Sequence, residues 1–155
     1  MTTGGKMVSP SSSRDVSVSL VSLNQRKDLE RLLPSLLPAA ESVHAEVLLI
    51  DNRSTDGTSD FVQRYSSQID LVFNPQIAGY GENHNLNLQR SRGRYFVIMN
   101  SDLTVAPNTL TVLRDYIDQH PDVGIVAPKV LNEDGTIQGL NKRYPTLLDL
   151  LLRRF

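Results

Sequence analysis

The stretch EVLLIDNRSTDGT, Glu46 to Thr58, runs four consecutive apolar residues, Val47 to Ile50, into an acid, Asp51, and then turns polar. A short apolar run bounded by turn signals reads as a strand buried on both faces. Ser-Thr-Asp-Gly-Thr is turn chemistry, and Asp56 or Thr58 can cap a helix carrying Phe61, Val62 and Tyr65. RYFVIMNSDL, Arg94 to Leu103, repeats the arrangement. Tyr95 to Met99 reads as a fully buried strand, and it delivers Asn100-Ser101-Asp102 at its end. An acid brought twice to the end of a buried strand calls for one explanation.

The surrounding chain supplies it. VSVSLVSL, Val16 to Leu23, alternates as a first strand. Leu29, Leu32, Leu33, Leu36 and Leu37 follow at helical spacing from about Lys27, with a kink or early stop expected at Pro34 and an end at Pro38. Ile69 to Phe73 is a third strand, and Glu82 to Arg90 a helix. Pro107 fits the first turn of a helix bearing Leu110, Leu113, Tyr116 and Ile117, which must stop before Pro121. Val123 to Val126 reads as a further strand. NEDGT then makes a hairpin-like turn between Lys129–Leu131 and Thr136–Gln138. Strands alternating with helices predict an α/β class: a Rossmann-like, mostly parallel sheet flanked by helices. Right-handed crossovers gather the strands' carboxyl ends on one edge, where such sheets bind ligands. Asp51 and Asp102 are therefore expected to face one crevice.

Bulk properties narrow the chemistry. The chain has 155 residues, 16 basic and 17 acidic side chains, a net charge of −1 and no cysteine. A near-neutral chain offers no field for nucleic acid. Without cysteine there are no disulfides and no thiolate metal sites, which fits a reducing, cytoplasmic compartment. No run approaches the roughly 18 apolar residues of a membrane span. Residues 1–15, rich in Ser, Thr and Gly, read as a disordered lead, residues 16–144 as the domain, and residues 145–155 as a Leu-rich tail. Leu147, Leu148, Leu150, Leu151 and Leu152 exceed what a free surface helix exposes. The tail is expected to pack on a missing half, on another copy or partner chain, or, with Arg153 and Arg154, against the inner face of a membrane as a peripheral contact.

Two acids in a crevice can hold a cation, accept ligand hydrogen bonds, or act as acid and base. One carboxylate at Asp102, helped by Asn100, suits a magnesium-like ion held mainly by a diphosphate. An ionised Asp51 accepts hydrogen bonds and fits a base imide or a ribose hydroxyl. Either acid also suits an ordinary loop or helix cap. In GYGENHNLN, Gly79 to Asn87, asparagines are poor helix formers, Asn83 and Asn87 share a face, and Asn85 lies on another. Gly79 and Gly81 permit close approach of a ligand, and the alternative is a frayed surface helix. Among the histidines, His84 alone falls near the crevice. There is neither a dinucleotide fingerprint nor a phosphate-loop motif.

Taken in order, VSLVSLN, LLIDNRSTDGT, NPQIAGYGENHN, VIMNSDL and VGIVAPKVLNEDGTIQ resemble the nucleotide-sugar-binding half of glycosyltransferase family 2, of GT-A fold, and its bacterial rhamnosyltransferase-like members in particular. The likeness covers about Val16 to Tyr144. It implies that Asp51 contacts the base, that Ser22 and Asn24 line base and ribose, and that Asn52, Gly79, Asn85, Asn100 and Ser101 border the nucleotide-sugar. Asp102 stands at the last position of the family's Asp-x-Asp motif as ligand to Mg²⁺ or Mn²⁺, and Asn100 replaces the first acid. It further implies an inverting hexosyl transfer from a dTDP-, UDP- or GDP-linked sugar to a glycan or lipid-linked acceptor, in polysaccharide or cell-wall synthesis. The family's catalytic base belongs to an acceptor half expected beyond Phe155, so the base is unassigned and the chain reads as truncated before that half. A non-catalytic nucleotide-binding or assembly module, recruiting a partner through the Leu-rich tail, is the alternative.

Overall fold

The structure, a computed structural model, describes residues 15–139. The expected lead and the Leu-rich tail lie outside the described residues, apart from Asp15. Four parallel strands, β1 (Val16–Ser22), β2 (Glu46–Asp51), β3 (Asp70–Phe73) and β4 (Tyr95–Ile98), form one sheet in the order β3-β2-β1-β4. Helices α1 (Arg26–Ser42), α2 (Thr58–Gln63), α3 (Tyr80–Arg90) and α4 (Thr109–Gln119) connect and cover it. Ser22 lies opposite Asp51 in the β1–β2 register, and Val18 opposite Val47.

The two faces of the sheet differ in chemistry. Val16, Val18 and Leu20 of β1 and Val47 and Leu49 of β2 join Leu29, Leu32, Leu33 and Leu36 of α1, Phe61 and Val62 of α2 and Leu110 of α4 in one apolar core. Burial of this kind contributes roughly 25 cal/mol per Å² of apolar surface. On the opposite face of β1, Ser17 and Ser19 are equally buried but meet polar groups of α3 and of the loop after it. The Val/Ser alternation of β1 thus marks two buried faces rather than one wet and one dry.

Helix α1 corrects the expectation of a kink or early stop. Pro34 and Pro38 both lie inside it, and it runs to Ser42. The two prolines are four residues apart and both exposed, so their rings and the carbonyls they leave unpaired face solvent. The buried stripe of Leu29, Leu32, Leu33, Leu36, Ala39 and Ala40 is untouched by them. At α2, Gly57 occupies the cap position with φ +84° and Asp56 accepts the N–H of Thr58 at 3.0 Å, while Tyr65 falls beyond the helix in a following turn. The α4 helix starts after Pro107 at cap residue Asn108 and ends before Pro121.

Two strand readings need correction at the β4 side. No further strand pairs with β4 among the described residues, so β4 is an edge rather than fully buried, and Ile98 is 59% exposed. Residues 123–126 form no strand, because a strand needs a ladder partner and none of its backbone groups joins β4. The NEDGT turn does form, with a single antiparallel bridge, Leu131 to Ile137, and Gly135 at φ +82°.

At the amino edge the buried carboxylate of Glu46 accepts the Ser17 hydroxyl at 2.6 Å, the Arg92 N–H at 2.5 Å and the Arg92 guanidinium at 3.1 Å. Burial raises its pKa, but these donors outweigh it and hold the carboxyl below its ordinary 4.5. A lowered folded-state value adds stability that is present above about pH 4.5 and lost as pH falls through the folded value. Melting temperature followed from pH 7 to pH 3 should therefore drop below pH 4.5 in wild type, and drop less steeply in Glu46→Gln, which starts lower. Parallel pH profiles for the two proteins would remove Glu46 from the acid response.

Candidate functional site

At the carboxyl edge of the sheet, a crevice of about 340 Å³ is lined by Gln25, Asn52, Tyr80, Asn100, Ser101 and Asp102, with Val21, Leu23 and Ile77 as apolar wall. Asn52 holds the segment that shapes it. Its Nδ2 donates to the Ala78 carbonyl at 2.9 Å, and its Oδ1 accepts the Ala78 N–H at 2.9 Å and Asn74 Nδ2 at 3.0 Å. Asn74 Nδ2 also donates to Asn83 Oδ1 at 2.7 Å. Three asparagines therefore fasten the loop after β3 to the start of α3.

Helix α3 presents Asn83, His84 and Asn87 to the sheet, which explains asparagines where helix propensity disfavours them. Asn87 Nδ2 donates to the carbonyls of Leu20 and Leu48 and to Ser19 Oγ. The Ser19 hydroxyl also shares a hydrogen bond with His84 Nδ1, 2.7 Å away, while among the described residues the buried His84 Nε2 has no partner. Burial pushes the His84 pKa below its ordinary value and keeps the ring neutral at pH 7. Tyr80 packs its ring edge-on to His84, with centroids 4.4 Å apart, and its hydroxyl donates to Asn100 Oδ1 at 2.8 Å. Burial, and then the charge of Asp102, raise the phenol's pKa, so it stays a donor.

Asp102 is exposed, and among the described residues no hydrogen bond or ion pair engages its carboxylate. It borders the crevice and also a neighbouring cavity of about 430 Å³ that includes Arg31, Thr104, Thr109 and Lys129. Ser101, beside it, is 1% exposed, and its hydroxyl has no partner among the described residues. Oxygen donors from one carboxylate and one amide fit a hard cation such as Mg²⁺ or Mn²⁺ whose remaining ligands come from a diphosphate and water. Among the described residues no group of three or more acidic, His or Cys side chains converges to hold an ion unaided.

The nominated residues divide. Asn52, Asn100, Ser101 and Asp102 come together in the crevice, whereas Ser22, Asn24, Asp51, Gly79 and Asn85 are not part of its lining. The expectation that Asp51 and Asp102 face one crevice is not met here. Asp51 is in phase with Val47 and Leu49, so its side chain projects on the apolar-core side. It is 1% exposed, with Oδ1 accepting the Ser54 N–H at 3.1 Å and Oδ2 accepting the Ser59 hydroxyl. Ser22, opposite it, is fully buried, and its hydroxyl has no partner among the described residues. Asn24, at φ +57°, ties loops together by accepting the Thr55 N–H at 2.7 Å. Gly79 caps α3, next to Tyr80. Asn85 is exposed on the helix face away from the sheet. Tyr80 and Gln25, which the sequence reading did not nominate, line the crevice; for Tyr80 the signal was the aromatic between two glycines.

The family model for glycosyl transferase family 2 matches residues 17–153. The chain belongs to glycosyl transferase family 2. It is 30% identical over 132 residues to the N-acetylglucosaminyl-diphospho-decaprenol L-rhamnosyltransferase of Mycobacterium tuberculosis, covering 77% of this chain and 42% of that protein. It is 29% identical over 146 residues to TarS of Staphylococcus aureus, a poly(ribitol-phosphate) beta-N-acetylglucosaminyltransferase, covering 89% of this chain and 25% of that one. The crystal structure of TarS 1–349 with UDP-GlcNAc superposes with a TM-score of 0.59 at 27% identity, over 69% of this chain and 32% of the other. The mannosyltransferase PcManGT of Pyrobaculum calidifontis, in complex with GDP-Man and Mn²⁺, superposes with a TM-score of 0.59 at 25% identity, over 66% and 32%. The family 2 chain thus spans well under half the length of these relatives. Its parallel four-stranded sheet flanked by helices matches the Rossmann-like GT-A fold.

Proposed function

We propose that this chain binds a nucleoside diphospho-sugar at the carboxyl edge of its sheet and serves as the donor-binding part of an inverting glycosyltransferase. The acceptor would be a glycan or lipid-linked saccharide, as the names of the relatives suggest, in cell-envelope polysaccharide synthesis. The observation that carries this reading is Asp102: a carboxylate unengaged among the described residues, lining a polar crevice that Asn52, Tyr80 and Asn100 also line.

Asp102 and Asn100 would hold Mg²⁺ or Mn²⁺, which when bound supplies positive charge against the leaving diphosphate. The first-turn amides of α3, at the positive end of its dipole, support an anion on the same side. A Cβ placed at Gly81, within that turn, would meet nothing within 4 Å among the described residues, so a ligand can approach the backbone there. In the transfer, an acceptor hydroxyl attacks the anomeric carbon opposite the leaving group. The bond to the diphosphate breaks with its electron pair going to phosphate oxygen, and the hydroxyl proton passes to a carboxylate base. No residue of this chain is assigned as that base.

Thermal denaturation with UDP, dTDP and GDP, each with and without Mn²⁺, tests the reading. One nucleotide should raise the melting point by roughly 10 °C at a hundredfold excess over its Kd, and the effect should grow with Mn²⁺. No response to any of the three would replace it with a non-catalytic assembly module.

A further inference from the structure

Resting on that functional reading, we infer that the second cavity beside Asp102 receives the sugar of the donor, with Glu133 and Lys129 as the groups that hold its hydroxyls.

The crevice and this cavity have one lining residue in common, Asp102. They lie on opposite faces of the sheet's carboxyl end. Val21 and Tyr80 put the crevice on the α3 face, the face of Ser17 and Ser19. Met99 and Val105 put the cavity on the face of the apolar core, with Arg31 of α1 and Thr109 of α4. A nucleoside diphospho-sugar has the same order of parts: a nucleoside at one end, a sugar at the other, and the diphosphate between them. With the nucleoside in the crevice and the diphosphate at Asp102, the sugar is delivered to the cavity. Its volume of about 430 Å³ falls in the range of small-ligand pockets.

The lining suits a sugar better than an anion. Met99 and Leu131 give an apolar wall for the C–H groups of a pyranose ring, while Thr104, Thr109, Lys129 and Glu133 give polar groups for its hydroxyls. Arg31 and Lys129 are balanced by Asp102 and Glu133, so the cavity has no net charge to draw in a further phosphate.

Prior engagement decides which of these side chains are left for a ligand. Arg31 is paired with Asp28 at 2.8 Å, and Asn132 Nδ2 donates to Thr136 Oγ1 at 2.9 Å. Among the described residues no hydrogen bond or ion pair engages Lys129 or Glu133. The turn that carries Glu133 is itself fixed: Asp134 Oδ1 accepts the Thr136 N–H at 2.9 Å and the Thr136 hydroxyl at 2.6 Å, and Leu131 bridges to Ile137. Of two neighbouring acids, Asp134 is used within the turn and Glu133 is not. A carboxylate accepts from two adjacent hydroxyls at once, and an ammonium donates to their oxygens.

Calorimetric titration with Mn²⁺ present compares UDP, dTDP and GDP with UDP-GlcNAc, dTDP-rhamnose and GDP-mannose. The double variant Lys129→Ala/Glu133→Ala removes one charge of each sign, so the field around the crevice is conserved. Both side chains are exposed, and the melting temperature should change little. For the sugar nucleotide that wild type binds tightest, the variant should bind about 10-fold more weakly, while its affinity for the matching free nucleotide should fall less than about twofold. Equal losses with both ligands, or no loss with either, would overturn the inference and leave the nucleotide reading intact. A wild type that binds a nucleotide and rejects its sugar conjugate would do the same. A wild type that binds none of the six would overturn both.

Discussion

Asp102→Asn should abolish the gain in nucleotide affinity that Mn²⁺ confers, while leaving the fold unchanged. The side chain is exposed and makes no hydrogen bond or ion pair among the described residues, so the substitution removes a charge and no structural contact. Surface changes of this kind stay within about 0.5 kcal/mol in stability. The effect on binding should be far larger. Among the described residues Asp102 is the one carboxylate lining the crevice, and losing it leaves neutral amides to hold a divalent cation. Partners that merely orient a metal ligand already account for about 10- to 100-fold, so a loss on the order of 100-fold in Mn²⁺ affinity is expected of the ligand itself. Calorimetric titration of nucleotide with and without Mn²⁺ reads this directly. If the variant keeps the Mn²⁺ enhancement at an unchanged melting temperature, the ion sits elsewhere and the assignment of Asp102 is wrong.

The second large effect lies at the opposite edge of the sheet. Gly93→Ala should destabilise the domain by about 3 kcal/mol, which lowers the melting temperature by roughly 10 °C. A Cβ at position 93 would come within 2.5 Å of the Ser17 backbone nitrogen, 2.6 Å of Ser17 Oγ and 2.6 Å of the Val16 carbonyl carbon. Two of these atoms belong to the backbone of β1, so no rotamer relieves the contact. The Gly93 N–H also donates to Ser17 Oγ at 2.8 Å, within the cluster that holds Glu46, so a shift of the loop would loosen that cluster as well. Gly124→Ala, where nothing among the described residues lies within 4 Å of the added atom, is the matched control and should change stability little. A melting temperature for Gly93→Ala within a degree of the control would show that the loop yields without cost.

What could be read in advance follows from the range of the forces involved. The run ending at Asp51 was legible because burial on both faces writes itself into consecutive apolar residues, whereas the run ending at Asn100 has the same composition and forms a partly exposed edge. The family assignment was legible because several weak motifs occurred in order. Pro34 and Pro38 misled because proline was judged by its presence, not by its face; their spacing of four already puts both on the side away from Leu29 and Leu33. Counting by twos from Val47 likewise carries Asp51 to the apolar-core side, away from Asn52. Residues 123–126 had the composition of a strand, but pairing depends on a neighbour that composition does not name. Tyr80 stayed hidden for a related reason: its bond to Asn100 spans twenty positions, and no local pattern encodes it.

Asp51 carries one last consequence. Its carboxylate has already surrendered its hydration to the folded chain and is satisfied by the Ser54 amide and the Ser59 hydroxyl. Taking that acceptor away would strand the Ser54 amide and the Ser59 hydroxyl in a place closed to water, so a change at Asp51 acts first on how the loop after β2 is tethered to α2.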